Sequence, residues 1–130
     1  MPQPASQILI ADDDPLLVEL LEYKLEARGY EVLKADDGPS ALEAVQREQP
    51  ALVVLDAMMP GFDGFEVLRR LKGNETTAGI PVVMLTARKA ENDVLQGLSL
   101  GAHDYLVKPF MPQELVTRIS KILGERDSSA

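Results

Sequence analysis

Short apolar runs alternate along the chain with longer stretches in which apolar residues recur every three or four positions. That alternation predicts a parallel sheet whose strands are joined by helical crossovers. Ile8 to Ala11 is apolar and β-branched at Ile8 and Ile10, and it stops at Asp12-Asp13-Asp14. It predicts a buried strand. Asp14 before Pro15 predicts an N-cap with proline at the first helical position, and Leu17, Leu20, Leu21 and Leu25 fall on one face opposite Glu19, Glu22 and Glu26. Gly29 ends that helix. Val32 to Ala35 predicts a second strand, Asp36-Asp37-Gly38 a solvated turn, and Pro39 opens a helix through Ala41, Leu42 and Val45 that Pro50 closes. Ala51 to Leu55, ending at Asp56, is the most continuous apolar run and predicts a central strand buried on both faces. Pro60-Gly61 and Asp63-Gly64 mark a loop, and Phe65, Val67, Leu68 and Leu71 continue as a helix to about Gly73. A surface loop, Asn74 to Gly79, leads to a fourth strand, Val82 to Leu85, ending at Thr86. The next helix, through Val94, Leu95 and Leu98, is weakened by Gly97, which costs about 1 kcal/mol relative to Ala. Gly101 ends it, and Tyr105 to Val107 predicts a fifth strand before Lys108-Pro109. A final helix carries Leu115, Val116, Ile119, Ile122 and Leu123 and fades from Gly124.

In an open parallel sheet the ligand site lies beyond the carboxyl ends of the strands. Here those ends carry Asp12, Asp13 and Asp14, then Asp56, Thr86 and Lys108. Two carboxylates about 4 Å apart repel by about 4 kcal/mol at an effective dielectric near 20, so gathering several calls for a cation or a shifted pKa. An all-oxygen donor set suits Mg²⁺ better than zinc. Lys108 adds a point charge and Thr86 a hydroxyl, both suited to phosphoryl oxygens. Together they suggest phosphoryl transfer onto a carboxylate.

Composition narrows the classes further. The chain has 130 residues, 45% hydrophobic and 26% charged, enough for one domain with its own core. With no Cys there is no disulfide, thiol nucleophile or Cys-type zinc site, which suits a reducing, cytoplasmic setting. A formal charge of -8 with no Lys/Arg stripe argues against direct nucleic-acid binding, and no apolar run is long enough for a membrane span.

The segments Ile-Leu-Ile-Ala-Asp12-Asp13-Asp14-Pro15, Val-Val-Leu-Asp56-Ala-Met-Met-Pro60-Gly-Phe-Asp-Gly64, Met-Leu-Thr86-Ala87 and Gly101-Ala-His-Asp-Tyr105-Leu-Val-Lys108-Pro109-Phe110 resemble, in this order and spacing, the CheY-like receiver domain of two-component response regulators. The resemblance runs from Gln7 to Leu123. It implies an α/β fold of (βα)5, flavodoxin-like type: a three-layer sandwich around a parallel five-stranded sheet in order 2-1-3-4-5. It implies a phosphoacceptor signalling domain, not an enzyme, with self-catalysed phosphorylation and dephosphorylation. Asp56 matches the phosphoacceptor, served by a phosphohistidine on a sensor histidine kinase or phosphotransfer protein, or by a small donor such as acetyl phosphate. Asp13 matches the direct Mg²⁺ ligand, Asp12 its partner through water, and Met58 a backbone-carbonyl ligand. Lys108 would pair with a phosphoryl oxygen, and Thr86 would bond another after phosphorylation. Ala87 would keep the entrance open, and the ring of Tyr105 would move inward as the switch. A cis Lys108–Pro109 bond and a downstream protein or C-terminal output domain are implied too. Met58 and Arg88 match positions that tune hydrolysis of the acyl phosphate. Dimerisation is implied through the fourth helix, fifth strand and fifth helix, where Asp104 and Arg118 match one ion pair and Val94 stands where a basic residue would face Glu114.

Plainer roles accompany these. Asp14 reads as a helix cap, lone His103 as a surface residue, and Gly61 to Gly64 lacks the spacing of a nucleotide fingerprint. Two alternatives stand beside the receiver reading. One is a haloacid-dehalogenase-like phosphohydrolase with Asp12 as nucleophile, from the faint resemblance of Asp12-x-Asp14, Thr86 and Lys108 to its motifs; the other is a degenerate, unphosphorylated binding module. The expected organisation is an N-terminal extension at 1–6, a receiver domain at 7–124 and a polar tail or linker stub at 125–130.

Overall fold

The computed structural model describes residues 6–61, 63–87 and 99–128, with side chains for 6–61, 63–86 and 99–124. Its elements are β1 (Gln7–Ala11), α1 (Pro15–Glu26), β2 (Glu31–Ala35), α2 (Gly38–Glu48), β3 (Leu52–Asp56), α3 (Gly64–Lys72), β4 (Val82–Ala87), β5 (Asp104–Lys108) and a C-terminal helix (Pro112–Ser128). The predicted helix through Val94, Leu95 and Leu98, together with Arg88, lies outside the described residues.

All strand pairs are parallel, in the order β2-β1-β3-β4-β5. Side chains alternate along each strand, so the sheet buries two separate layers. Ile8, Ile10, Leu52, Val54 and Leu85 pack toward Leu21 and Leu25 of α1 and Leu115 and Ile119 of the C-terminal helix. Leu9, Ala11, Val53, Leu55 and Met84 pack toward Val45 of α2 and Leu68 of α3. Every residue of β3 is buried, as expected of the strand covered on both faces.

Caps set the helix boundaries. The Asp14 carboxylate accepts from the amides of Leu16 and Leu17, and Pro15 stands in the first turn. α1 ends at Glu26, and the chain turns away at Gly29, whose φ of +93° suits a residue without Cβ, while Tyr30 N donates to Leu25 O and Gly29 N to Glu26 O. Asp37, read from sequence as a solvated turn residue, caps α2 by accepting from Ser40 N. Asp63 caps α3 through Glu66 N.

Two expectations need correction. Leu20 is 42% exposed and lies outside the buried arc, which centres on Val18, Leu21 and Leu25. Leu16, Leu20 and Tyr23 instead share the outward face at i, i+4, i+7 spacing. The last helix does not fade at Gly124 but continues to Ser128. One interior glycine costs only about 1 kcal/mol, less than a run of good helix formers can offset.

The loop after α3 also holds a buried polar side chain. Thr77 is almost fully buried, and its hydroxyl donates to Leu71 O at 2.7 Å, closing the end of α3. Thr77→Val removes that donor while keeping the shape, and it should cost about 1–2 kcal/mol. Urea denaturation of the two proteins measures this.

Candidate functional site

In the order β2-β1-β3-β4-β5, the chain leaves β1 for one edge and returns to β3 on its other side. The switch point therefore lies between the carboxyl ends of β1 and β3, where ligand sites form. Register places the functional groups there. Ala11 pairs with Leu55 and Asp56 with Leu85, so Asp12 and Asp56 are level at adjacent strand ends. Ala87 pairs with Lys108, which brings the lysine to the same end of the sheet.

Strand alternation then divides the residues. Asp56 and Lys108 share the face of Leu52, Val54 and Leu106; Thr86 and Tyr105 share the face of Met84. Asp12 and Asp56 are buried, at 2% and 5% exposure, and Thr86 is equally enclosed. Lys108 Nζ bridges the two acids, 2.9 Å from Asp12 Oδ2 and 3.2 Å from Asp56 Oδ2. Each acid also accepts a backbone amide: Asp12 Oδ1 from Asp14 N at 2.9 Å, Asp56 Oδ1 from Met58 N at 3.2 Å. Met58 is 70% exposed. The Lys108–Pro109 peptide is cis, and His103 is on the surface.

Burial pushes the Asp56 carboxyl above its ordinary range, and the charge of Asp12 pushes the same way; the Met58 amide and Lys108 oppose both without cancelling them. For Lys108, burial would depress the amine, but the hydrogen bond to Asp12 and the charges of Asp56 and Asp12 outweigh it and hold it above its usual value. The lysine is therefore a fixed cation at neutral pH.

Asp12, Asp13 and Asp56 each present a carboxylate oxygen, all within 4.8 Å of one another. Two buried acids and an exposed one, all hard oxygen donors, fit a magnesium-type ion that keeps several waters. Among the described residues this is the one acidic or histidine cluster of that kind. A groove of about 680 Å³ opens from Asp12 and Asp13 along α1 to Lys34, Asp36 and Ser40.

Tyr105 packs against the layer containing Met84, and its hydroxyl oxygen is out of contact with solvent. Asp104 and Arg118, matched to an interchain ion pair, pair within the chain at 2.9 Å, and Arg118 also reaches Glu114 at 3.2 Å.

Gly64, a loop marker in the sequence, is the first residue of α3. A Cβ there would stand 2.2 Å from Asp56 O and 2.9 Å from Asp56 C, so α3 starts directly under the Asp56 carbonyl. Asp63-x-x-Glu66 was the available signal for that helix start, since it has the form of a capping box.

A doubly wound sheet with paired acids and a lysine at its switch point has the layout of a receiver domain. The chain matches the response regulator receiver domain over residues 8–120. It belongs to that family, the receiver domains of two-component response regulators. It is 44% identical over 126 residues to the phosphate regulon transcriptional regulatory protein PhoB of Pseudomonas aeruginosa, covering 95% of this chain and 55% of that protein. It is 44% identical over 124 residues to the alkaline phosphatase synthesis transcriptional regulatory protein PhoP of Bacillus subtilis, covering 95% of this chain and 51% of that protein. The chain thus spans about half the length of these curated relatives. Among solved structures, a receiver domain of a Pseudomonas aeruginosa sensor histidine kinase has magnesium coordinated in its active-site cleft. It superimposes with a TM-score of 0.83 at 29% identity, covering 92% of this chain and 98% of that one.

The hydrolase alternative is not favoured. Exposed Asp14 is spent on capping α1, so Asp12-x-Asp14 forms no pair of nucleophile and acid facing one pocket. Among the described residues no helix is long and apolar enough to cross a membrane.

Proposed function

We propose that this receiver accepts a phosphoryl group on Asp56 from a phosphohistidine of a sensor histidine kinase or phosphotransfer protein, with Mg²⁺ as cofactor and in the cytoplasm. The observation that carries it is the buried Asp56 carboxylate, joined to Asp12 through the bridging Lys108 amine at the switch point of the sheet. Asp12, Asp13, Asp56 and the Met58 backbone carbonyl would hold the ion, which supplies charge compensation for the transferring group.

The chain's own groups do the rest. An Asp56 oxygen attacks phosphorus, the N–P bond to the donor imidazole breaks, and the imidazole leaves with that electron pair. Burial removes water that would otherwise solvate the nucleophile, and the Met58 amide keeps one carboxylate oxygen oriented. Lys108 already bonds both acids, so it can transfer a hydrogen bond to a phosphoryl oxygen without leaving the site. The same groups would support autophosphorylation from acetyl phosphate and hydrolysis of the acyl phosphate. Incubation with labelled acetyl phosphate tests this reading: label should enter in magnesium buffer and fall to background with excess chelator. Equal labelling in both would count against it.

Readout is assigned to Thr86 and Tyr105, which share the opposite sheet face from Asp56. Thr86 would be drawn toward the phosphoryl group. The Tyr105 ring, whose hydroxyl is enclosed, would be held inward as the population shifts toward the activated state. Thr86→Ala should leave labelling within about twofold while removing the phosphorylation-dependent gain in partner binding, a gain that coupling energies place at roughly 5–150-fold. Comparing partner affinity of both proteins, with and without phosphorylation, measures this. The partner would be a downstream protein or a C-terminal output domain. A dimer through β5 and the C-terminal helix would exchange the intrachain Asp104–Arg118 pair for an interchain one.

A further inference from the structure

The loop after Asp56 is pinned at both ends. Near the acid, Ala57 N donates to Leu85 O at 2.7 Å, Gly64 N to Ala57 O at 3.1 Å, and Met58 N to Asp56 Oδ1 at 3.2 Å. At its far tip, Gly38 N, the first amide of α2, donates to Pro60 O at 3.1 Å. Gly61 follows with φ of +83°, and a Cβ there would stand 2.7 Å from Pro39 Cδ and 3.3 Å from Pro39 Cγ. The atom it would strike belongs to a closed ring, which cannot swing aside as a long side chain would.

We propose that Pro39 and Gly61 form a clamp through which the turn between β2 and α2 positions the phosphoacceptor loop. Both are positioning residues acting through the Met58 backbone, and the inference rests on the phosphoacceptor role proposed for Asp56. Between the bonded Met58 amide and the bonded Pro60 carbonyl stands only Met59, which is buried. With so little slack, a displacement of Pro60-Gly61 by a few tenths of an ångström reaches Met58, and through it the oriented oxygen of Asp56. Asp36 and Ser40, which flank the same turn, line the groove that begins at Asp12 and Asp13. The clamp thus joins the rim of that groove to the phosphoryl site.

A double-variant cycle tests the clamp with Gly61→Ala, Pro39→Ala and the combination. Two readouts are taken: the Met58 amide resonance in metal-free protein and the rate of labelling by acetyl phosphate. Gly61→Ala should shift the Met58 resonance and slow labelling about tenfold, the lower range of overpacking effects. Removing the ring in the double variant should restore most of both. The left-handed strain that the Gly61→Ala change introduces is common to both backgrounds and cancels from the comparison. Equal losses with and without the Pro39 ring would overturn the clamp, as would a fall in melting temperature with the Met58 resonance unmoved. Failure of the wild type to take label would instead overturn the role of Asp56, and the Met58 response would still decide the clamp.

Discussion

Asp56→Asn should abolish labelling by acetyl phosphate in magnesium buffer, to less than about 1% of the wild-type rate, because the amide is no nucleophile toward phosphorus. Persistent label on another side chain would sink the assignment. The same variant carries a second, opposite expectation for stability. Burial and the charge of Asp12 raise the Asp56 carboxyl in the folded state above its ordinary 3.8. Between 3.8 and that raised value the folded state binds more protons than the unfolded one, so metal-free stability falls as pH rises through the window. At neutral pH the ionised Asp56 is therefore a destabilising charge in the metal-free protein. Asp56→Asn should melt higher than wild type without metal, and the gap should narrow as magnesium is added. A lower metal-free melting temperature would show that the bonds to Lys108 and Met58 outweigh desolvation.

Gly64→Ala should be among the most damaging single-methyl changes in the chain. Ala is the better helix former by about 1 kcal/mol, and Gly64 opens α3, so propensity alone predicts a gain. Sterics decide otherwise. The added carbon would overlap Asp56 O at 2.2 Å and crowd Ala57 Cα at 3.0 Å, and both are backbone that moves only with β3 or α3. Overpacking of this kind costs about 3 kcal/mol, roughly a 10 °C fall in melting temperature for a domain of this size. Phosphoryl acceptance should fall as well, since the displaced carbonyl belongs to Asp56, the proposed acceptor. Gly79→Ala is the matched control, with nothing within 4 Å of the added carbon and no change expected. A Gly64→Ala protein as stable as that control would refute the contact.

The strands and caps were largely legible because they rest on local rules. β-branched apolar runs that stop at acids, and Asp before Pro15, speak through period and cap chemistry alone. Local rules also misled. Leu20 fits a leucine stripe in sequence, yet the buried arc of α1 is set by where β1 and the C-terminal helix lie, and Leu20 falls beside it. Asp37 read as turn and proved to be a cap, because a solvated aspartate and a capping one differ only in the direction of the following amides. Gly64 read only as a loop marker for a related reason: the space it saves belongs to a strand end that sequence spacing does not place above it.

The sequence by itself determined the set of reactive groups and their address. Strand-length runs ending in Asp12, Asp56, Thr86 and Lys108 put carboxylates, a hydroxyl and an amine at the same end of a parallel sheet, because every strand in such a sheet points the same way. Only the tertiary structure decided how they act on one another. It set Lys108 between Asp12 and Asp56, turned Thr86 and Tyr105 to the opposite face, buried the Tyr105 hydroxyl, and laid Pro39 against Gly61. Those relations depend on register, strand order and side-chain alternation between segments as far apart as Asp12 and Lys108, and such distances close only when the whole sheet packs.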